Sequence, residues 1–252
     1  KETGEYNLDD FEKAITNKTK IVAVNYACNA LGTINPIKEI TKIAHAKGAM
    51  VFVDAVHYAP HGLIDVQDLD CDFLVTSIYK YFGPHVSAVF GKKEHLENFS
   101  PYKVEPAVDK IPNKWETGTP DFSAISAIPS AIKYITSLSG NSSPTRKNLE
   151  LAYKNITEYE NELSRYFLQK VSALKHIKVY GLSDAKDICH RTPTFGLTVD
   201  GKTSHEVAAY LAKHGIFSWS GHFYAMDVNR VYGLEKDGLL RIGMLHYNTK
   251  RE

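Results

Sequence analysis

The sequence lacks any apolar run approaching the roughly 20 residues that a membrane-spanning helix needs. It also lacks an excess of either charge: 30 Lys and Arg stand against 29 Asp and Glu. That balance argues against a basic nucleic-acid groove and a polybasic membrane face. Cysteine is scarce. Cys28, Cys71 and Cys189 are odd in number and widely spaced. They offer neither a disulfide framework nor a zinc spacing, so a reducing, cytoplasmic setting is expected. The opening residues, K-E-T-G-E-Y-N-L-D-D, are polar and acidic, unlike a signal or transit peptide. No internal repeat or low-complexity tract is present.

What is there fits a globular chain of one large or two small domains: 252 residues, 43% hydrophobic and 23% charged. K-I-V-A-V-N-Y (20–26) reads as a buried strand. Asn35-Pro36 opens a helix that runs to about Lys47, with Gly48 as its stop. Strands follow at 50–54, 73–77 and 87–91. Continuous apolar strands separated by a helix predict a parallel or mixed sheet covered on both faces. Residues 93–122 are loop-rich. Helices are expected over about 123–138 and 147–172. From Ile177 the pattern becomes a small α+β unit: strands I-K-V-Y, T-F-G-L-T-V, I-F-S-W and L-L-R-I-G-M, with a helix from Ser204 to His214. A boundary near 173 divides the chain into 1–172 and 173–252.

Two short segments carry the chemistry. V-F-V-D-A-V-H (51–57) is an apolar run ending in an acid. In F-L-V-T-S-I-Y-K-Y-F-G-P (73–84) the apolar run F-L-V-T leads to a lysine among aromatics. Pyridoxal phosphate needs a carboxylate to keep its ring nitrogen protonated and a lysine amine to hold it as a Schiff base. Asp54 and Lys80 suit those parts. Composition alone makes a lysine a solvated surface group and an aspartate a strand-end cap. Their order, each closing a buried strand, favours the functional reading. The flanking Tyr79, Tyr81 and Phe82 suggest an amine held in a drier place, where it becomes nucleophilic. His57 and His61 have metal-like spacing, but Pro60 and Gly62 deny that segment a helix. No metal site is expected.

Five ordered motifs extend this pair: V-N-Y-A-C-N-A-L-G-T-I-N-P-I-K-E-I, V-D-A-V-H, S-I-Y-K-Y-F-G-P, E-T-G-T-P-D and R-I-G-M-L-H-Y-N-T. Together they resemble the class V aminotransferase-fold enzymes, in particular the cysteine desulfurase and selenocysteine lyase branch. The resemblance implies an α/β, fold type I pyridoxal-phosphate enzyme. On that reading the chain is part of the large domain, with a mostly parallel sheet, plus an incomplete small α+β domain, and the family's protein begins well before Lys1. It also implies pyridoxal 5'-phosphate as cofactor, an α-amino acid as substrate and a homodimer, with no nucleic acid or membrane partner.

Roles follow position by position. Lys80 matches the Schiff-base lysine and Asp54 the partner of the ring nitrogen. His57 stands where relatives contact the ring oxygen. Asn29 matches an asparagine near that oxygen and the substrate carboxylate. Ser77 matches a phosphate-binding hydroxyl. Tyr79 replaces a phosphate-binding histidine with a phenol that donates one hydrogen bond but carries no positive charge. Thr119 matches a threonine that reaches the phosphate of the neighbouring subunit. Arg241, a charge inside an apolar strand, matches the substrate carboxylate anchor, whose fork suits a bidentate acid. Without the family, Ser77, Asn29 and Thr119 read as strand-end or turn residues, His57 as a loop histidine, and Arg241 as an edge-strand charge.

One departure bears on the reaction. In G-H-F-Y-A-M (221–226) the position of the desulfurase cysteine is Tyr224, and a nearby arginine position is Trp219. A phenol with an unperturbed pKa of ~10 is no persulfide carrier. Cys28 is read as a buried strand-end thiol. The resemblance therefore supports the cofactor and leaves open a β-lyase, an epimerase, an aminotransferase or a catalytically silent binding protein.

Overall fold

The computed structural model describes residues 3–116 and 118–252. The chain divides into two compact units that interleave in sequence. One comprises 8–26 and 36–152; the other comprises 3–7, 27–35 and 153–252. This partition differs from a single cut near 173, which remains a proposal about the domains. No helix among the described residues is long and apolar enough to cross a membrane.

The first unit is built on a four-stranded sheet in chain order: β1 (Ile21–Asn25), β2 (Met50–Asp54), β3 (Phe73–Ser77) and β4 (Ser87–Gly91). β1, β2 and β3 run parallel, and β4 closes the edge antiparallel. Helix α1 (Leu8–Ala14) precedes β1, and α2 (Ile37–Ala46) links β1 to β2. Ile37, Ile40 and Ala44 recur at helical spacing on α2 and bury against Val24, Val51, Val53 and Leu74. Burial of each such isoleucine contributes roughly 1.5–3 kcal/mol. Gly48 follows the helix with φ +73°, where a Cβ is disfavoured, so the chain turns there into β2.

The opposite face of this sheet is only partly covered, which corrects the expectation of two buried faces. Ile21 is 48% and Val89 60% exposed. The runs are apolar on both sides, but α2 packs on one. A short helix α3 (Val66–Leu69) precedes β3; α4 (Lys93–Asn98) and the 3-10 turn Asn113–Trp115 interrupt the region expected as loop. Helix α5 (Phe122–Ser137) starts at Asp121, whose Oδ1 accepts the Ala124 N–H at 2.9 Å. Helix α6 (Arg146–Val171) follows.

The second unit carries an antiparallel sheet of β5 (Ile177–Tyr180), β6 (Thr194–Val199), β8 (Leu239–Gly243) and β7 (Trp219–Gly221), in the order β5-β6-β8-β7. Helix α7 (Ser204–Lys213) is set by a capping box: Thr203 Oγ1 accepts the Glu206 N–H, and Glu206 Oε2 accepts the Thr203 N–H. Helix α8 (Met226–Tyr232) lies between β7 and β8. The expected strand I-F-S-W begins only at Trp219. Ile216 and Phe217 are exposed and follow Gly215 at φ +76°.

Candidate active site

Parallel neighbours deliver whatever follows their carboxyl ends to one sheet edge, where open α/β sheets bind ligands. Asp54 ends β2 and Ser77 ends β3. Asp54 pairs in register with Val75. The period of two therefore puts Asp54, Val75 and Ser77 on one face. Asp54 is exposed. Its Oδ1 accepts the Val56 N–H at 2.9 Å, a local turn that fixes the carboxylate while its second oxygen has no partner among the described residues.

Lys80 sits in the 3-10 turn Ile78–Tyr81, directly after β3. The turn is held by the Ile78 N–H on the Val86 carbonyl (2.8 Å) and the Gly83 N–H on the Ile78 carbonyl (3.1 Å). Phe82 ends it at φ +73°. Its aromatics do not wrap the amine. Tyr79 stacks on His85 with centroids 4.4 Å apart, Tyr81 Oη lies 3.0 Å from Thr76 Oγ1, and Phe82 meets Tyr134 edge-on at 5.1 Å. The expectation of a drier site for Lys80 is corrected accordingly: Lys80 is exposed because each flanking ring is engaged elsewhere. No carboxylate pairs with it among the described residues.

Ser77 is buried, opposite Ser87 of β4. His57 is half-buried in the turns after β2, its ring 5.5 Å from that of His61. Thr119 is exposed just ahead of α5; Thr117 of the same E-T-G-T-P run lies outside the described residues. No group of three or more His, Cys, Asp or Glu among the described residues is arranged to hold a metal.

Asn29 and Arg241 belong to the second unit. Gly196 of β6 has no Cβ where one would meet the Ala30 carbonyl at 2.6 Å. Gly196 is also the register partner of Arg241, so segment 27–35 reaches β8. The Arg241 Nη1 donates to the Asn29 carbonyl at 3.0 Å, and the Asn29 Nδ2 donates to the Phe223 carbonyl at 2.8 Å. The guanidinium lies over the Phe223 ring at 4.4 Å. Burial pushes the Arg241 pKa below its ordinary value. Trp219 is the register partner of Arg241 on β7 and shares its face. Phe223 was not legible as a site residue, since its contact with Asn29 spans 194 residues of sequence. Tyr224 is exposed at φ +61°. Burial raises the pKa of the half-buried Cys28 thiol, the opposite of what a nucleophile needs.

The family model for aminotransferase class V matches residues 1–252. The chain belongs to the class V aminotransferase family. A probable cysteine desulfurase of Halalkalibacterium halodurans is 33% identical over 261 residues, which cover 99% of this chain and 59% of the relative. An aminotransferase-like protein, FGM3, of Gibberella zeae is 33% identical over 97% of this chain and 59% of its own. The apo cysteine desulfurase structure from Thermococcus onnurineus NA1 superposes with a TM-score of 0.85 at 27% identity, covering 99% of this chain and 61% of that one. The Escherichia coli cysteine desulfurase CsdA, in its S-sulfonic acid form, superposes at 0.80 with 23% identity over 97% of this chain and 59% of its own, a likeness of fold. The class V chain thus spans about three-fifths of the length of the relatives it matches. This is a pyridoxal-phosphate-dependent enzyme family, of fold type I.

Proposed function

We propose that the protein is a pyridoxal-phosphate-dependent enzyme acting on an α-amino acid, cysteine desulfurase-like in lineage. The observation that supports this most is the delivery of Asp54 and Lys80 to one sheet edge by adjacent parallel strands. The donor set fits the cofactor. Asp54 offers an open carboxylate oxygen, Lys80 an amine with no acid partner among the described residues, and Ser77 a hydroxyl on the same face as Asp54. The bound cofactor supplies an electron sink for the carbon-centred charge that develops at the substrate's Cα.

The chain's own groups do the rest. Asp54 keeps a proton on the ring nitrogen. Lys80 would hold the cofactor through its amine and would serve as the general base for the Cα proton. Ser77, Tyr79 and, from the neighbouring subunit of a homodimer, Thr119 are the phosphate contacts. His57 and Asn29 serve the ring oxygen, and Arg241 the substrate carboxylate. A cytoplasmic setting belongs to the same reading. β-Elimination, epimerisation and transamination all begin at this proton transfer.

Tyr224 at the cysteine position removes the persulfide step. Borohydride reduction of the full-length holoprotein tests the assignment of Lys80. A pyridoxyl label on the peptide containing Lys80 is expected, and label on another lysine overturns it. Incubation with cysteine is expected to leave no added sulfur on residues 218–227, as read by peptide mass.

A further inference from the structure

Two arginines of the second unit, one buried and one half-buried, are used to different ends. Arg191 is 3% exposed, and its guanidinium is consumed by backbone. It donates to the carbonyls of Leu182, Leu31 (3.2 Å), Thr192 (3.3 Å) and Thr194 (2.6 Å), and lies 4.0 Å over the Phe195 ring. Among the described residues Arg241 donates to one carbonyl, that of Asn29. A guanidinium has five N–H donors, so most of its edge is uncommitted. No carboxylate pairs with Arg241 among the described residues.

What Arg241 has instead is a ring on its face. Phe223 lies 4.4 Å beneath the guanidinium, and its carbonyl accepts from the Asn29 side-chain Nδ2, while the Asn29 backbone carbonyl accepts from Arg241. Three segments thus close a triangle. Phe223 holds this place at φ +55°, followed by Tyr224 at φ +61°. Left-handed backbone is disfavoured for residues with a Cβ, and two in succession persist only where surrounding contacts over-determine them. A ring against the face restrains the plane while leaving the N–H edge free.

We propose that Phe223 is a positioning residue for Arg241: its ring, and its carbonyl acting through Asn29, hold the guanidinium plane so that its free edge receives a carboxylate. The proposal rests on the reading of Arg241 as the substrate carboxylate anchor. It makes the 222–226 turn and the anchor one device, in which displacement of the turn costs carboxylate recognition.

The test is calorimetric titration of full-length protein with L-alanine and with L-alaninamide, which lacks the carboxylate. The ratio of the two affinities isolates carboxylate recognition, because general damage weakens both ligands alike. Wild type is expected to prefer alanine. F223L is expected to shrink that preference roughly three- to thirtyfold, the range of a partly desolvated cation–π contact. F223M serves the same comparison if F223L fails to fold. F223Y, which keeps the ring, is expected to restore the preference. An unchanged ratio in F223L or F223M overturns the role of Phe223 while leaving Arg241 as anchor. A wild-type protein without preference for alanine overturns the anchor itself and the proposal with it.

Discussion

Asp54 and Asp72 flank the same parallel strands at opposite ends and are treated in opposite ways. Asp72, just before β3, is 4% exposed, and both its oxygens are occupied. Oδ2 accepts the Val51 N–H at 2.7 Å and lies 2.8 Å from His45 Nε2; Oδ1 lies 2.8 Å from His95 Nε2 and 3.6 Å from Lys92 Nζ. Burial pushes its pKa up, but the hydrogen bonds from His45, Val51 and His95 outweigh it, and the net shift is downward. Asp54 is exposed and keeps one oxygen open. A saturated carboxylate ties α2, β2, β3 and α4 together. An unsaturated one at the ligand-binding edge of an α/β sheet is available for chemistry.

The largest expected effect falls on the open end. Asp54→Asn keeps the shape and the acceptor for the Val56 N–H but removes the charge that, on the proposed function, would hold a proton on the ring nitrogen. Turnover in the full-length enzyme is expected to fall on the order of a thousandfold. The unfolding midpoint should stay near wild type, because an exposed isostere changes little. Near-normal turnover would place Asp54 with the structural aspartates and erase the contrast.

Asp72→Ala should do the reverse. It strands the buried Val51 N–H and removes the acceptor of two half-buried imidazoles, and a cost of about 3 kcal/mol is expected, measured by denaturant unfolding. The pH dependence has a definite sign. A carboxyl whose folded pKa is depressed stabilises above its unfolded pKa, near 4, and that contribution is lost as pH falls through the lower folded value. Wild type should therefore lose more stability than Asp72→Ala as pH falls below about 4, while Asp65, Asp70 and the other depressed carboxyls keep part of the acid sensitivity in both. If the variant retains wild-type stability at pH 7, the network is ornamental.

The sequence exposed one end of this contrast and hid the other. β2, β3 and β4 were legible to the residue because each is a short segment with an apolar centre (V-F-V, F-L-V, A-V-F) flanked by polar or turn residues. Asp54 and Lys80 were legible because each closes such a run. Their surroundings were not: the stacking of Tyr79 on His85 and the engagement of Phe82 with Tyr134 leave Lys80 exposed. Asp72 reads as one polar residue in D-C-D-F, since its partners His45 and His95 stand 27 and 23 residues away. β7 was misplaced because an apolar run makes a strand only where a neighbour supplies the ladder, and β8 pairs from Trp219 onward. Helices α1 and α8, seven residues each, are too short to show a periodic stripe.

The smallest effect tests how far saturation extends outward from Asp72. Lys92 bridges Asp70 at 2.7 Å and Asp72 at 3.6 Å. The Asp70 side chain is 65% exposed, so that half of the bridge is a solvated ion pair. Such pairs contribute about 0.2–1 kcal/mol because water screens the attraction and ordering the lysine costs entropy. Asp72 retains the Val51 N–H and both imidazoles when Lys92 is truncated. Lys92→Ala is therefore expected to cost less than about 1 kcal/mol, and the difference from wild type should shrink further in high salt. A loss as large as that of Asp72→Ala, insensitive to salt, would show that the ammonium, rather than the imidazoles and the Val51 amide, balances the buried charge.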